Sequence, residues 1–88
     1  MRIISNAGVG AGAAVPFNNE AGRERVVVAW GTVTAADLEI SPDGGTTWII
    51  VQTLDGGGVF LVPIGGKDNY QVRVSVATGS GVYVDILD

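Results

Sequence analysis

Hydrophobic and polar residues alternate most cleanly over Tyr70-Gln71-Val72-Arg73-Val74-Ser75-Val76, with Tyr70, Val72, Val74 and Val76 on one parity and Gln71, Arg73 and Ser75 on the other. That period of two predicts a strand with one face on the core. Asp37-Leu38-Glu39-Ile40-Ser41 repeats the pattern with its acids outward, after a brief connection at Thr34-Ala35-Ala36. Glu24 to Val33 is different. Val26, Val28 and Trp30 share one parity there and Val27 and Ala29 the other, so this run predicts a β-branched strand covered on both sides. Shorter runs complete the set: Val15-Pro16-Phe17 as an edge strand, Thr46 to Thr53, Val59 to Ile64 ended by Pro63, and Val82 to Leu87. No window shows helical periodicity.

Glycine and proline punctuate these runs. The sharpest punctuation is Ser41-Pro42-Asp43-Gly44-Gly45-Thr46-Thr47-Trp48, which reads as the tip of a β-hairpin. Pro42 presets φ for the first corner, Asp43 accepts hydrogen bonds from backbone amides just ahead of it, and Gly44 and Gly45 supply positive φ. The structural residues of this turn are Ser41, Asp43, Gly44, Gly45, Thr47 and Trp48. Further turns are expected at Asp55-Gly56-Gly57-Gly58, at Gly65 to Asn69, and as a hairpin at Thr78-Gly79-Ser80-Gly81. The expected fold is all-β: a small antiparallel β-sandwich or partly closed barrel, immunoglobulin-like or jelly-roll-like, of about six to eight short strands.

One stretch fits no strand pattern. Asn6 to Ala14 reads NAGVGAGAA, whose side chains bury almost nothing, so residues 1–20 are expected as a Gly/Ala-rich N-terminal arm or edge segment. As an arm it is either a flexible leader or an extended segment ordered against a neighbouring subunit. Residues 21–88 form the one β-sandwich domain. A chain of 88 residues buries only about 60 to 65% of the surface its unfolded form exposes. Without cysteine no disulfide staples the core, and self-association is the expected compensation.

Charge and residue types narrow the chemistry. The net charge is −4, with 5 Lys and Arg against 9 Asp and Glu, which disfavours a phosphate backbone as partner. Met1-Arg2-Ile3-Ile4 opens no apolar leader, and no run is long enough to span a membrane, so a soluble, unexported product is expected. Histidine and cysteine are both absent, which removes the commonest general base, metal ligand and nucleophile. A carboxylate pair drawn from Asp37, Glu39, Asp43, Asp55, Asp68 and Asp85 falls in turns or at outward positions, where acids are solvated. Asp55, Asp68 and Asn69 offer oxygen ligands to calcium but match no EF-hand spacing, and the glycine tracts have no helix behind them to cradle phosphate. No enzyme, metal or cofactor is expected. Trp30 and Trp48 share parities with Val28 and Ile50, so core packing is expected in preference to a sugar-stacking platform.

Two resemblances attach to these residues. Ser41, Asp43, Gly45, Thr47 and Trp48 fall on the pattern of the Asp-box hairpin of sialidase-like propellers, which implies turn geometry and not glycosidase chemistry; one copy makes no propeller. Gly22-Arg23, the valine run Val26 to Gly31 with Thr32, and Leu38, Ile40 and Ser41 to Trp48 together resemble a family of small tailed-phage virion proteins, with Pro63 and Gln71-Val72-Arg73-Val74 fitting more loosely. That resemblance implies a non-enzymatic virion structural protein, foremost a capsid decoration (cement) protein that stabilises the shell. A neck, tail or head-fibre β-domain is the alternative within the family, and an immunoglobulin-like or carbohydrate-binding adhesion module the alternative outside it. The implied partners are further copies of the chain, a trimer by analogy with decoration proteins, and the major capsid protein or another virion protein. The implied location is the virion.

Overall fold

The computed structural model describes residues 1–87. They form seven strands: β1 (Arg2–Ala7), β2 (Gly10–Ala11), β3 (Val15–Asn19), β4 (Arg25–Ser41), β5 (Ile49–Thr53), β6 (Gly58–Val62) and β7 (Lys67–Leu87), with no helix among the described residues. β4 runs for 17 residues and β7 for 21, so both exceed what alternation suggests. The connection expected at Thr34-Ala35-Ala36 and the hairpin expected at Thr78 to Gly81 both lie inside these strands. The reason is that they pair with one another: Thr32 with Ser80, Val33 with Gly79 and Ala35 with Thr78, with register shifts on either side. Turn-forming residues that find strand partners make bulges, which bend a ribbon without reversing it.

The bend folds the whole sheet in two. Beyond the corner, Val26 to Trp30 pair with Tyr83 to Leu87, and before it Ala36 to Ser41 pair with Gln71 to Val76. β6 flanks the first half of β4 and β5 the second, while β1, β2 and β3 run in succession along the other side of β7. All neighbours are antiparallel. The first leaf is therefore ordered β1-β7-β4-β6 and the second β3-β7-β4-β5. Two four-stranded leaves sharing long strands in this order have the connectivity of a jelly roll. The sheet stays open, since among the described residues β5 and β6 have no second strand partner.

Glycines sit at the corner in each of the four long runs: at 8–12, 31, 56–58 and 79–81. The tightest approach is at Gly31, whose φ is 95° and where an added Cβ would lie 2.0 Å from the carbonyl oxygen of Gly81. Only a residue without a side chain lets the two strands cross this closely.

The core lies between the leaves. Val27, Ala29, Leu38 and Ile40 from β4 meet Val72, Val74, Val76, Val82, Val84 and Ile86 from β7, with Leu54, Val62 and Phe17 closing the sides. The inward parity of β4 changes from odd at Val27 and Ala29 to even at Leu38 and Ile40, because the corner bulges shift the register between them. Residues 2–19 belong to this structure as its edge. They pair with β7 of the same chain, Ile3, Ile4 and Phe17 are buried, and the Gly12 amide donates to Val74 O at 2.8 Å. The small side chains of the NAGVGAGAA tract serve a strand that must turn the corner beside β7. It lies along the edge of the chain's own sheet.

The open end of the sandwich is closed by polar groups. Asn19, fully buried at the end of β3, donates through Nδ2 to Ile64 O at 2.8 Å and Arg23 O at 3.0 Å. Its Oδ1 accepts from Arg25 Nε at 2.9 Å, and the Arg25 guanidinium lies 5.6 Å from the centre of the Phe17 ring. One amide thus ties the ends of β3 and β4 to the link between β6 and β7.

Candidate interaction surface

The outer face of the first leaf is apolar. Cross-strand partners project to the same side, so the register Leu61-Val26-Leu87, Val59-Val28-Asp85 and Trp30-Tyr83 places Val59, Leu61, Val26, Val28, Trp30, Tyr83 and Leu87 on one surface. Val59 is 72% exposed, Leu61 60%, Leu87 45% and Trp30 40%, whereas side chains in the middle of a covered sheet would be near zero. Arg2 and Asp85 on this face are bonded to each other.

Aromatic stacking orders one end of this face. The Trp30 and Tyr83 rings are 8° from parallel with centroids 5.4 Å apart, and the Arg2 guanidinium lies 5.1 Å and 5.4 Å from their centres. Such a pair contributes about 0.5 to 1.5 kcal/mol beyond its burial. Trp30 is thus not the core residue its parity suggested, and β4 is not covered on both sides. The register with β7 explains the difference: Val27 opposes Ile86 and Ala29 opposes Val84, and those β7 residues are fully buried, so Val26, Val28 and Trp30 must face out. The alternation of Tyr83 and Asp85 with Val82, Val84 and Ile86 is the signal that carries this register.

The outer face of the second leaf is polar. Asp37, Glu39, Gln71, Arg73 and Ser75 alternate with its buried residues, and Arg73 Nε donates to Glu39 Oε1 at 2.7 Å. Trp48 belongs to this face and not to the core; it is half-buried, with the Arg73 guanidinium 4.1 Å from its ring centre. A cation held over an aromatic face covers the ring while keeping its own head wet.

The hairpin residues come together at one tip. Asp43 Oδ1 accepts from the Thr47 amide and from the Ser41 hydroxyl, each at 2.8 Å, and Ser41 Oγ accepts from the Gly45 amide at 2.7 Å. Gly44 and Gly45 have φ of 74° and 98°. The Thr47 amide first, and then the Ser41 hydroxyl, hold the Asp43 carboxyl down from 3.8 to about 2. Because the folded value is depressed, the turn's contribution is present above pH 4 and is lost as pH falls towards 2. A carboxyl-carbon NMR titration is expected to place the Asp43 midpoint near 2; a midpoint at the ordinary carboxylate value would refute the bonding described.

The other acids are dispersed. Asp55 accepts from the Ala36 amide at 3.0 Å, Glu39 and Asp85 are paired with Arg73 and Arg2, and Asp68 lies near the start of β7. Among the described residues there is no cavity and no cluster of three metal-ligating side chains. Sequence reasoning passed over Asn19 and Arg25, whose polarity reads as surface character until the strand ends converge. It also passes over the open apolar face, because Val26, Val28 and Trp30 are expected on a covered side of their strand. Comparison with known proteins adds no relative: no family model, no curated protein and no solved structure matches this chain.

Proposed function

We propose that this chain is a non-enzymatic structural protein of a tailed-phage particle, a capsid decoration protein that self-associates and stabilises the shell. The observation that carries the reading is the uncovered apolar face of the first leaf. A small acidic domain that keeps Val59, Leu61, Trp30 and Leu87 in solvent loses free energy unless something covers them, and contiguous apolar patches beyond a few hundred Å2 mark interaction sites. The dispersal of its carboxylates and the absence of histidine and cysteine from the sequence support binding over catalysis. The residues from Gly22 to Trp48 that resemble small virion proteins support the phage setting.

The adhesion alternative needs an open aromatic platform for a sugar ring. Trp30 and Tyr83 stack on each other under Arg2, and Trp48 lies against Arg73, which favours protein contact. Co-sedimentation with assembled tailed-phage capsids tests the reading. The chain is expected to pellet with assembled shells and to leave free coat subunits largely unbound. Saturable binding to a glycan array without capsid binding, or turnover of any glycoside, would overturn it.

A further inference from the structure

Resting on the assembly reading above, we propose that the apolar face of the first leaf is covered by the same face of a second copy, the two leaves stacked about a twofold axis. Three observations point to this occupant: the size of the face, its charge and the lack of a second patch for it to meet.

Val59, Leu61, Leu87 and Trp30 stand 72%, 60%, 45% and 40% exposed across the strands of one leaf. A standard stable interface buries roughly 800 Å2 per partner, which calls for a face of a whole leaf and not a single strand edge. Pairing through the unpaired edge of β6 would involve only the backbone of Gly58 to Val62 and bury much less. Two twisted sheets stack face to face about 10 Å apart with interdigitating side chains, the geometry a flat row such as Leu61-Val26-Leu87 requires.

Charge selects the same face. The chain carries a net charge of −4, so most approaches between two copies bring acids together. The Arg2 and Asp85 charges on this face are matched within each copy, so that pair adds no net repulsion when two such faces meet. The second leaf presents Asp37 beside its own matched pair of Glu39 and Arg73.

Closure follows from the distribution of apolar residues. A face that packs on itself is isologous and closes at two, whereas a ring of three needs a different apolar patch for it to meet. Among the described residues, the large exposed hydrophobics elsewhere are Met1, Val9, Ile49 and Ile50. Ile49 and Ile50 are adjacent in β5 and no comparable surface is formed. The twofold pair is thus favoured over the threefold arrangement implied by resemblance to decoration proteins.

Sedimentation equilibrium and light scattering on the full chain, from low to high micromolar concentration, test the proposal. The wild-type chain is expected to reach a dimer mass. Leu61→Lys and, separately, Val59→Lys are each expected to raise the dimer dissociation constant by at least about tenfold with the thermal melt of the monomer unchanged. Ile50→Lys, on the other leaf, is expected to leave it unaltered, and Trp30 is expected to be less quenched by acrylamide in the dimer than in Leu61→Lys. A monomer throughout, a trimer mass, or a dimer untouched by both lysine variants would overturn the proposal. A monomeric chain that binds capsids and loses that binding on Leu61→Lys also overturns it, making the shell the occupant and leaving the capsid-binding part of the functional reading intact without its self-association. A face-dependent dimer that ignores capsids upholds this proposal and removes that reading.

Discussion

Gly31→Ala is expected to destabilise the protein by about 3 to 5 kcal/mol, combining the strain of a non-glycine residue at positive φ with a backbone collision. The added methyl would sit 2.0 Å from Gly81 O and 2.9 Å from Gly81 C, and neither belongs to a side chain that can swing aside. Relief requires moving β7 away from β4 at the corner, which breaks the pairings that join the leaves. A domain of this size has a total stability of roughly 5 to 13 kcal/mol, and each kcal/mol lost lowers the melting temperature by about 4 to 8 °C. Gly31→Ala should therefore melt at least about 12 °C lower than wild type. Gly44→Ala is the matched control: its φ of 74° is also left-handed, but nothing lies within 4 Å of the new methyl. Its cost is expected to be about 1 kcal/mol. Urea denaturation of both variants gives the comparison, and equal losses would show that the close approach at the corner contributes nothing.

Removal of the Asn19 side chain is the second large effect, with an expected loss of about 3 kcal/mol for Asn19→Ala. Three hydrogen bonds disappear together, two of them buried, and one of the buried pair comes from a guanidinium. The Ile64 carbonyl loses its Asn19 donor in a closed part of the molecule, and Arg25 loses an acceptor that offsets its own burial. A buried polar group deprived of its partner costs more than the bond contributed when made. Asn18→Ala provides the contrast. Asn18 is exposed and its Oδ1 accepts from the Glu20 amide at 2.9 Å, a local turn bond whose loss should cost under about 1 kcal/mol. Chemical denaturation should separate the neighbours clearly; comparable midpoints for the two variants would mean that the cluster does not hold the open end.

Periodicity disclosed the strands that keep one register along their length. The inward residues of β7 from Val72 to Val76 and the inward Leu38 and Ile40 of β4 follow directly from alternation, as does the hairpin from Ser41 to Trp48. Long-range pairing was not legible. Thr34-Ala35-Ala36 and Thr78 to Gly81 carry the composition of turns, and only their position opposite one another makes them bulges in continuous strands. The same limit misplaced Trp30: Val26, Val28 and Trp30 have more volume than Val27 and Ala29, so local bulk favours the wrong face. The partner strand decides, since Ile86 and Val84 draw Val27 and Ala29 inward. The surface now identified as the candidate site was visible only as a valine run with two apolar sides, of which the chain itself covers one.

The pairing of β4 with β7 also sets the pace at which the molecule assembles. No seam in it joins neighbours in sequence: Ser41 meets Gln71 at its shorter span and Val26 meets Leu87 at its longest. Loop-closure entropy makes the shorter span the first to zip, with the far half of each strand waiting on the corner. Such topology belongs to the slow class of small domains, reaching the native state in milliseconds to seconds. The uncharged run from Gly58 to Val62 pairs with β4 on one side only, and nascent chains at high concentration are exposed along its other edge to pairing with the wrong strand.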